Sequence, residues 1–116
     1  MNKKKFEVIL NKRIAKIRLL LQTKNKEYAS DIDKLHNFKR AGKMQNCTPE
    51  KALVGMWTKH IISLLDIVDH IDEEEEVALY EIGSGLKVEM LEEKIGDAVS
   101  YLILLEAMIK ERYGWK

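Results

Sequence analysis

Glu93 and Asp97 stand four residues apart in the run Glu92-Glu93-Lys94-Ile95-Gly96-Asp97-Ala98-Val99-Ser100-Tyr101-Leu102. On a helix that spacing puts both carboxylates on one side. Ile95, Ala98, Val99 and Leu102 surround Asp97 with side chains that belong in a core. A carboxylate carried among them is costly unless it is paired, hydrogen-bonded or bound to a metal. Two arrangements meet that condition. Asp97 caps or pairs with a lysine from a neighbouring helix, or Glu93 and Asp97 form part of a divalent-metal site. Gly96 costs a helix about 1 kcal/mol relative to alanine, and the cost points to the close approach of another helix.

Other polar residues fall at helical spacing. Lys59, Ser63, Asp66 and His70 recur at intervals of four, three and four, a polar stripe that is either a solvated face or a ligand-bearing one. His60 is either a partly buried structural histidine or a group that bonds phosphate oxygens and orients water. Asp31 and Asp33 open a helical segment, where acids suit the positive end of the helix dipole. The run Asp72-Glu73-Glu74-Glu75-Glu76 is expected to be a solvated helix end or loop, because consecutive carboxylates do not converge on one point. The sequence has no glycine-rich phosphate loop, no Cys/His cluster and no convincing Ser-His-Asp spacing.

The elements that must position these groups are helices. Phe6, Ile9, Leu10, Ile14, Ile17, Leu20 and Leu21 recur at threes and fours, which predicts an amphipathic helix from residue 4 to about 28, basic on its outer face. Ser30 or Asp31 is expected to cap a shorter helix carrying Leu35 and Phe38 inward, with Gly42 as its stop. Thr48-Pro49-Glu50 is a strong helix start, and that helix is expected to reach about Asp72. Ile82-Gly83-Ser84-Gly85-Leu86 is expected to be a loop. A final helix then covers about Lys87 to Tyr113, ended by Gly114, with Trp115 packed against a neighbour.

One proline and six glycines in 116 residues favour long helices over a turn-rich sheet protein. With 46% hydrophobic and 34% charged residues, the chain has enough apolar matter for one globular domain over residues 1–116. The fold class is therefore all-α: three long helices and one short one. A layer this thin leaves an apolar face uncovered, so a homodimer or tetramer is expected to complete the bundle. The single cysteine, Cys47, cannot close an internal disulfide, and neither a signal peptide nor a membrane-length apolar run is present. A cytoplasmic location is the expectation.

Net charge is +1, but residues 1–58 hold 14 Lys/Arg against 5 Asp/Glu, whereas residues 59–116 hold 6 against 14. Such asymmetry fits a nucleic-acid-binding arm or a basic helix packed beside an acidic one. The basic residues interleave with an apolar stripe, which favours packing. Few aromatics lie among the lysines, which argues against stacking on single strands.

Three segments together carry a resemblance. Glu27-Tyr28-Ala29 with Asn37-Phe38, then Lys59-His60-Ile61-Ile62-Ser63-Leu64-Leu65-Asp66, then Glu93 to Leu105 resemble small phage-encoded proteins, such as those of staphylococcal phages. The likeness covers about residues 24–112, and that group largely carries no assigned activity. More distantly, the Glu93-to-Asp97 helix is similar to the second metal helix of all-α nucleoside triphosphate pyrophosphohydrolases of the MazG and dimeric dUTPase type. Those enzymes hold Mg²⁺ on acids against the phosphates while water cleaves the α–β phosphate bond. They place a glutamate three residues before the aspartate, where this chain has Lys94, and paired glutamates on the first metal helix, where it has Lys59, Ser63, Asp66 and Asp69.

The resemblance implies a Mg²⁺-dependent pyrophosphohydrolase acting on a nucleoside triphosphate. Asp66, Glu93 and Asp97 would be metal ligands, with Glu27 or Asp31 as a fourth. Lys59 would neutralise phosphate oxygens, and His60 would bond them or orient water. The alternative is a non-enzymatic helical oligomer that binds a host or phage protein. Nucleic-acid binding through the basic first helix ranks behind both.

Overall fold

The structure, a computed structural model, describes residues 1–28, 33, 35–82 and 85–116, with side chains described for 1–22, 33, 35–71 and 88–116. The chain forms α1 (Lys3–Tyr28), α2 (His36–Gln45), α3 (Pro49–Ile82) and α4 (Gly85–Tyr113), and no strand occurs among the described residues. The fold is all-α, with three long helices and one short one. Ser30, Asp31, the side chains of Asp72 to Glu76, and Gly83 and Ser84 lie outside the described residues. α2 itself begins at His36 with Leu35 as its N-cap residue rather than at Ser30 or Asp31. Ile82, Gly85 and Leu86 of the expected loop belong to helices, where no proline blocks the turn at either end.

Local chemistry explains the helix ends. Asn2 caps α1 by accepting the Lys5 amide on Oδ1 at 2.8 Å. Thr48 Oγ1 accepts the Lys51 amide at 3.2 Å, and Pro49 stands at the first helical position of α3. At the end of α2, Asn46 turns left-handed with φ of 55°, Cys47 N–H donates to Gly42 O at 2.9 Å, and Asn46 N–H donates to Lys43 O. These are the paired bonds of a Schellman motif. The same pairing closes α4, where Gly114 has φ of 67° and Trp115 N–H donates to Lys110 O. Trp115 stacks on Tyr113 at 4.9 Å between ring centroids.

Two further boundaries differ from expectation, the ends of α2 and α3. Gly42 does not stop α2, which continues to Gln45. A Cβ on Gly42 would lie 2.8 Å from Cys47 O and 3.0 Å from Pro49 N, so glycine is required because the following turn folds back against it. The backbone of α3 runs through the acidic stretch to Ile82 rather than ending near Asp72. Glutamate is a good helix former, and no glycine or proline interrupts the chain between Gly55 and Gly83.

α4 is the central element, packed on both α3 and α1, while α2 packs on α3. Leu35, Leu53 and Met108 form the core cluster, with Phe38, Tyr101, Leu104 and Leu105 against it. Polar ties hold the same helices together. Arg112 makes a two-pronged contact with Glu50 at 2.7 and 2.8 Å, and Lys39 bonds both Asp33 and Glu111. The core is small for the chain. Accessible surface is 9002 Å², against about 6,500 Å² expected for a compact chain of this mass. The radius of gyration is 16.9 Å, against about 13 Å expected. Among the described residues, no helix is long and apolar enough to cross a membrane.

Candidate functional site

α4 presents Glu89, Glu93 and Asp97 at successive intervals of four, so the three stack along one side of the helix. With Glu92 and Gly96 they form one wall of an open cleft of about 330 Å³, and Arg13, Lys16, Ile17 and Leu20 of α1 form the other. The cleft brings cations of the first helix to the acids of the last. Arg13 Nη2 donates to the Glu92 carbonyl at 2.9 Å, and Lys16 Nζ bonds the Glu92 carboxylate. The Lys16 bond, with Lys12 and Lys16 charge beside it, holds the Glu92 carboxyl below the ordinary carboxylate value. Gly96 answers to this contact, since a Cβ there would meet Arg13 Nη1 at 2.8 Å. The close approach that Gly96 signals is a guanidinium laid across α4.

Asp97 sits where the cleft meets the α3–α4 interface. Its side chain is 17% exposed, and its Oδ2 lies 3.9 Å from His60 Nδ1 on α3, whose side chain is 27% exposed. That separation is longer than a hydrogen bond but within ion-pairing range. The His60 ring lies 5.0 Å from the Tyr101 ring at a 32° tilt, and Phe38 of α2 meets Tyr101 edge-on at 5.9 Å. Phe38, His60, Asp97 and Tyr101 therefore join three stretches of chain that are remote in sequence. Asp97 and Tyr101 are one helical turn apart, which fixes the carboxylate and the ring on the same side.

The sequence-predicted residues divide. Glu93 and Asp97 share the cleft, and His60 reaches Asp97 from α3. Asp66 is exposed, and its six-residue separation from His60 rotates it about 120° around α3, away from the His60 side. Lys59 is exposed as well, and its backbone carbonyl accepts the Ser63 hydroxyl at 3.2 Å. Glu27 and Asp31 lie outside the residues whose side chains are described. Asp33 is taken up locally, accepting the Leu35 amide and the Lys39 ammonium.

Arg13 and Lys16 were not among the residues expected at the site. The signal for Arg13 is its register: it falls between Ile9 or Leu10 and Ile17 on the apolar side of α1, where a cation needs a partner. Among the described residues, no group of three or more His, Cys, Asp and Glu side chains is gathered to hold a metal ion. A dedicated protein cage is thus not formed by them. Glu93 and Asp97 supply the one or two carboxylates with which Mg²⁺ is ordinarily held when substrate phosphates and water complete its shell. No protein-family model, curated protein or solved structure matches the chain.

Proposed function

We propose that this chain is a nucleoside triphosphate pyrophosphohydrolase working in the α1–α4 cleft, with Asp97 and His60 at its reacting end. The observation that carries the reading is the Asp97–His60–Tyr101 cluster. A carboxylate is held 17% exposed beside Ala98, which is itself buried, at the head of a cleft lined by two cations. A carboxylate at such a position has to be paired, and one group within ion-pairing range of it is the His60 imidazole, the side chain best suited to move a proton near neutral pH.

The triphosphate would lie along the cleft, its oxygens facing Arg13 and Lys16 in exchange for their bonds to Glu92. Water would attack the α-phosphorus, the bridging α–β bond would break, and pyrophosphate and a nucleoside monophosphate would leave. His60, its Nδ1 toward Asp97, would use Nε2 to accept the water's proton or to bond a phosphate oxygen. Asp97 would orient the imidazole and, with Glu93, face the Mg²⁺ that the nucleotide brings. Bound there, Mg²⁺ neutralises phosphate charge.

The test is pyrophosphate release from a panel of nucleoside triphosphates with Mg²⁺, for the native chain and for Asp97→Asn. Turnover is expected in the native chain and to fall by about 10²-fold or more in the variant, with helix content retained. Equal turnover in the two removes Asp97 from the reaction. A second reading, a non-enzymatic helical oligomer that binds a host or phage protein, is favoured by a separate observation: Phe6, Ile9, Ile62, Leu65 and Val68 stand more than half exposed. Absence of turnover with every nucleotide would favour it.

A further inference from the structure

The α1 stripe is covered over only part of its length. Ile17 is 9% exposed against α4, yet Phe6, Ile9, Leu10 and Ile14, on the same side of the helix, are 43–54% exposed. α3 has the converse feature. Its inward side carries Leu53 and His60, and a second stripe, Val54, Ile62, Leu65 and Val68, is 41–54% exposed. At about 100° per residue these four fall within one third of the helix circumference. Each helix therefore bears an apolar strip that the other described residues of a single chain leave exposed.

Charge decides what suits these strips. α1 holds nine Lys/Arg against two Asp/Glu, net +7, and α3 two against nine, net −7. Three of the nine acids (Glu50, Asp66 and Asp69) fall within residues 49–71 that carry the strip, and the other six follow it in the sequence. Pairing α1 with α1 of another copy would oppose two strongly positive helices. Pairing α1 with α3 of another copy matches both the apolar strips and the sign of charge. The surface in excess of a compact chain, about 2,500 Å², is well above the roughly 800 Å² per partner of a stable interface.

We infer that the exposed half of α1 lies along the outward strip of α3 in a second copy, and the reverse, so that two chains clasp each other in a two-fold homodimer. This specifies surfaces for an oligomer that either functional reading accommodates, and it rests on neither. Sedimentation equilibrium of the full chain should give twice the 13.5 kDa chain mass.

Ile9→Asp places a carboxylate against the apolar strip of a helix that is acidic on balance, and Leu65→Lys places an ammonium against the apolar strip of the basic one. Each should weaken association on the order of a hundredfold. Both sites are more than half exposed in the single chain, so circular dichroism should show native helix content. In a Cys47→Ser background, oxidising a mixture of Ile9→Cys and Leu65→Cys chains should give a disulfide-linked dimer of the two. A native chain that sediments as a monomer overturns the proposal. So does a dimer indifferent to Leu65→Lys, or cross-linking of Ile9→Cys chains to one another in place of the mixed pair.

Discussion

Alanine in place of either of two helical glycines should move stability in opposite directions. In α3, Gly55 has nothing within 4 Å of where a Cβ would stand. Gly55→Ala should therefore stabilise the chain by about 0.5–1 kcal/mol, the backbone entropy that glycine loses on entering a helix. In α2, Gly42 offers the same gain, but its Cβ would lie 2.8 Å from Cys47 O, 3.0 Å from Pro49 N and 3.1 Å from Thr48 C. All three are backbone atoms of one turn, tied by the Cys47-to-Gly42 bond and the Thr48 cap, so no side chain can swing aside. Forcing a methyl group into such a space costs about 1–3 kcal/mol, with the upper half of the range expected here. The net for Gly42→Ala is a loss of about 1–2 kcal/mol. At roughly 4 °C per kcal/mol for a chain of this length, Gly55→Ala should raise Tm by about 2–4 °C. Gly42→Ala should lower it by about 4–8 °C. Thermal circular dichroism at matched concentration reads both. A Gly42→Ala chain that melts at or above the native temperature would refute the close packing of the α2–α3 turn, and with it the account of how Phe38 is set against Tyr101.

Leu53 is fully buried in the core cluster, so Leu53→Ala should cost about 2–5 kcal/mol in urea unfolding; a loss below about 1 kcal/mol would remove it from the core. The Arg112 bond lowers the Glu50 carboxyl from its ordinary 4.5, and the Lys39 bond lowers Asp33 from 3.8. Unfolded chains then take up these protons first, so both contacts stabilise fully above the ordinary values and fade as pH falls through the folded ones. The Tm gap between the native chain and Glu50→Gln should be widest near neutral pH and narrow as pH falls below the ordinary carboxylate value; a gap that does not narrow in acid would contradict the pairing.

Much of the fold was legible because its signals are local. Thr48 and Pro49 announce α3 through one hydroxyl and one fixed φ, and the threes and fours of Phe6 to Leu21 set the apolar side of α1, which is buried at Ile17. Gly42 misled because glycine has two uses at a helix end: a left-handed residue and a gap for a neighbour. Asn46 takes the first role, leaving Gly42 the second. The end of α3 falls later than expected because a run of acids suggests solvent more readily than it suggests continued helix, and the helix continues through it.

The candidate site was half legible. Glu93 and Asp97 share a side by spacing alone, whereas the meeting of His60 with Asp97 depends on how α3 crosses α4, a non-local fact. Asp66 and His60 share α3, but six residues on a helix separate their directions. Arg13 was hidden because a cation on an amphipathic helix is ordinarily assigned to its solvated face. Only the register against Ile17 shows otherwise.

The most direct test of the proposed site is thermal melting of the native chain and of Asp97→Asn with Mg²⁺ or Mn²⁺, with and without nucleoside triphosphates. A ligand held only by the folded chain must raise Tm. Metal and nucleotide together should raise Tm in the native chain, and Asp97→Asn should abolish that rise. An unmoved Tm in the native chain under every combination, or an equal rise in both chains, would contradict it.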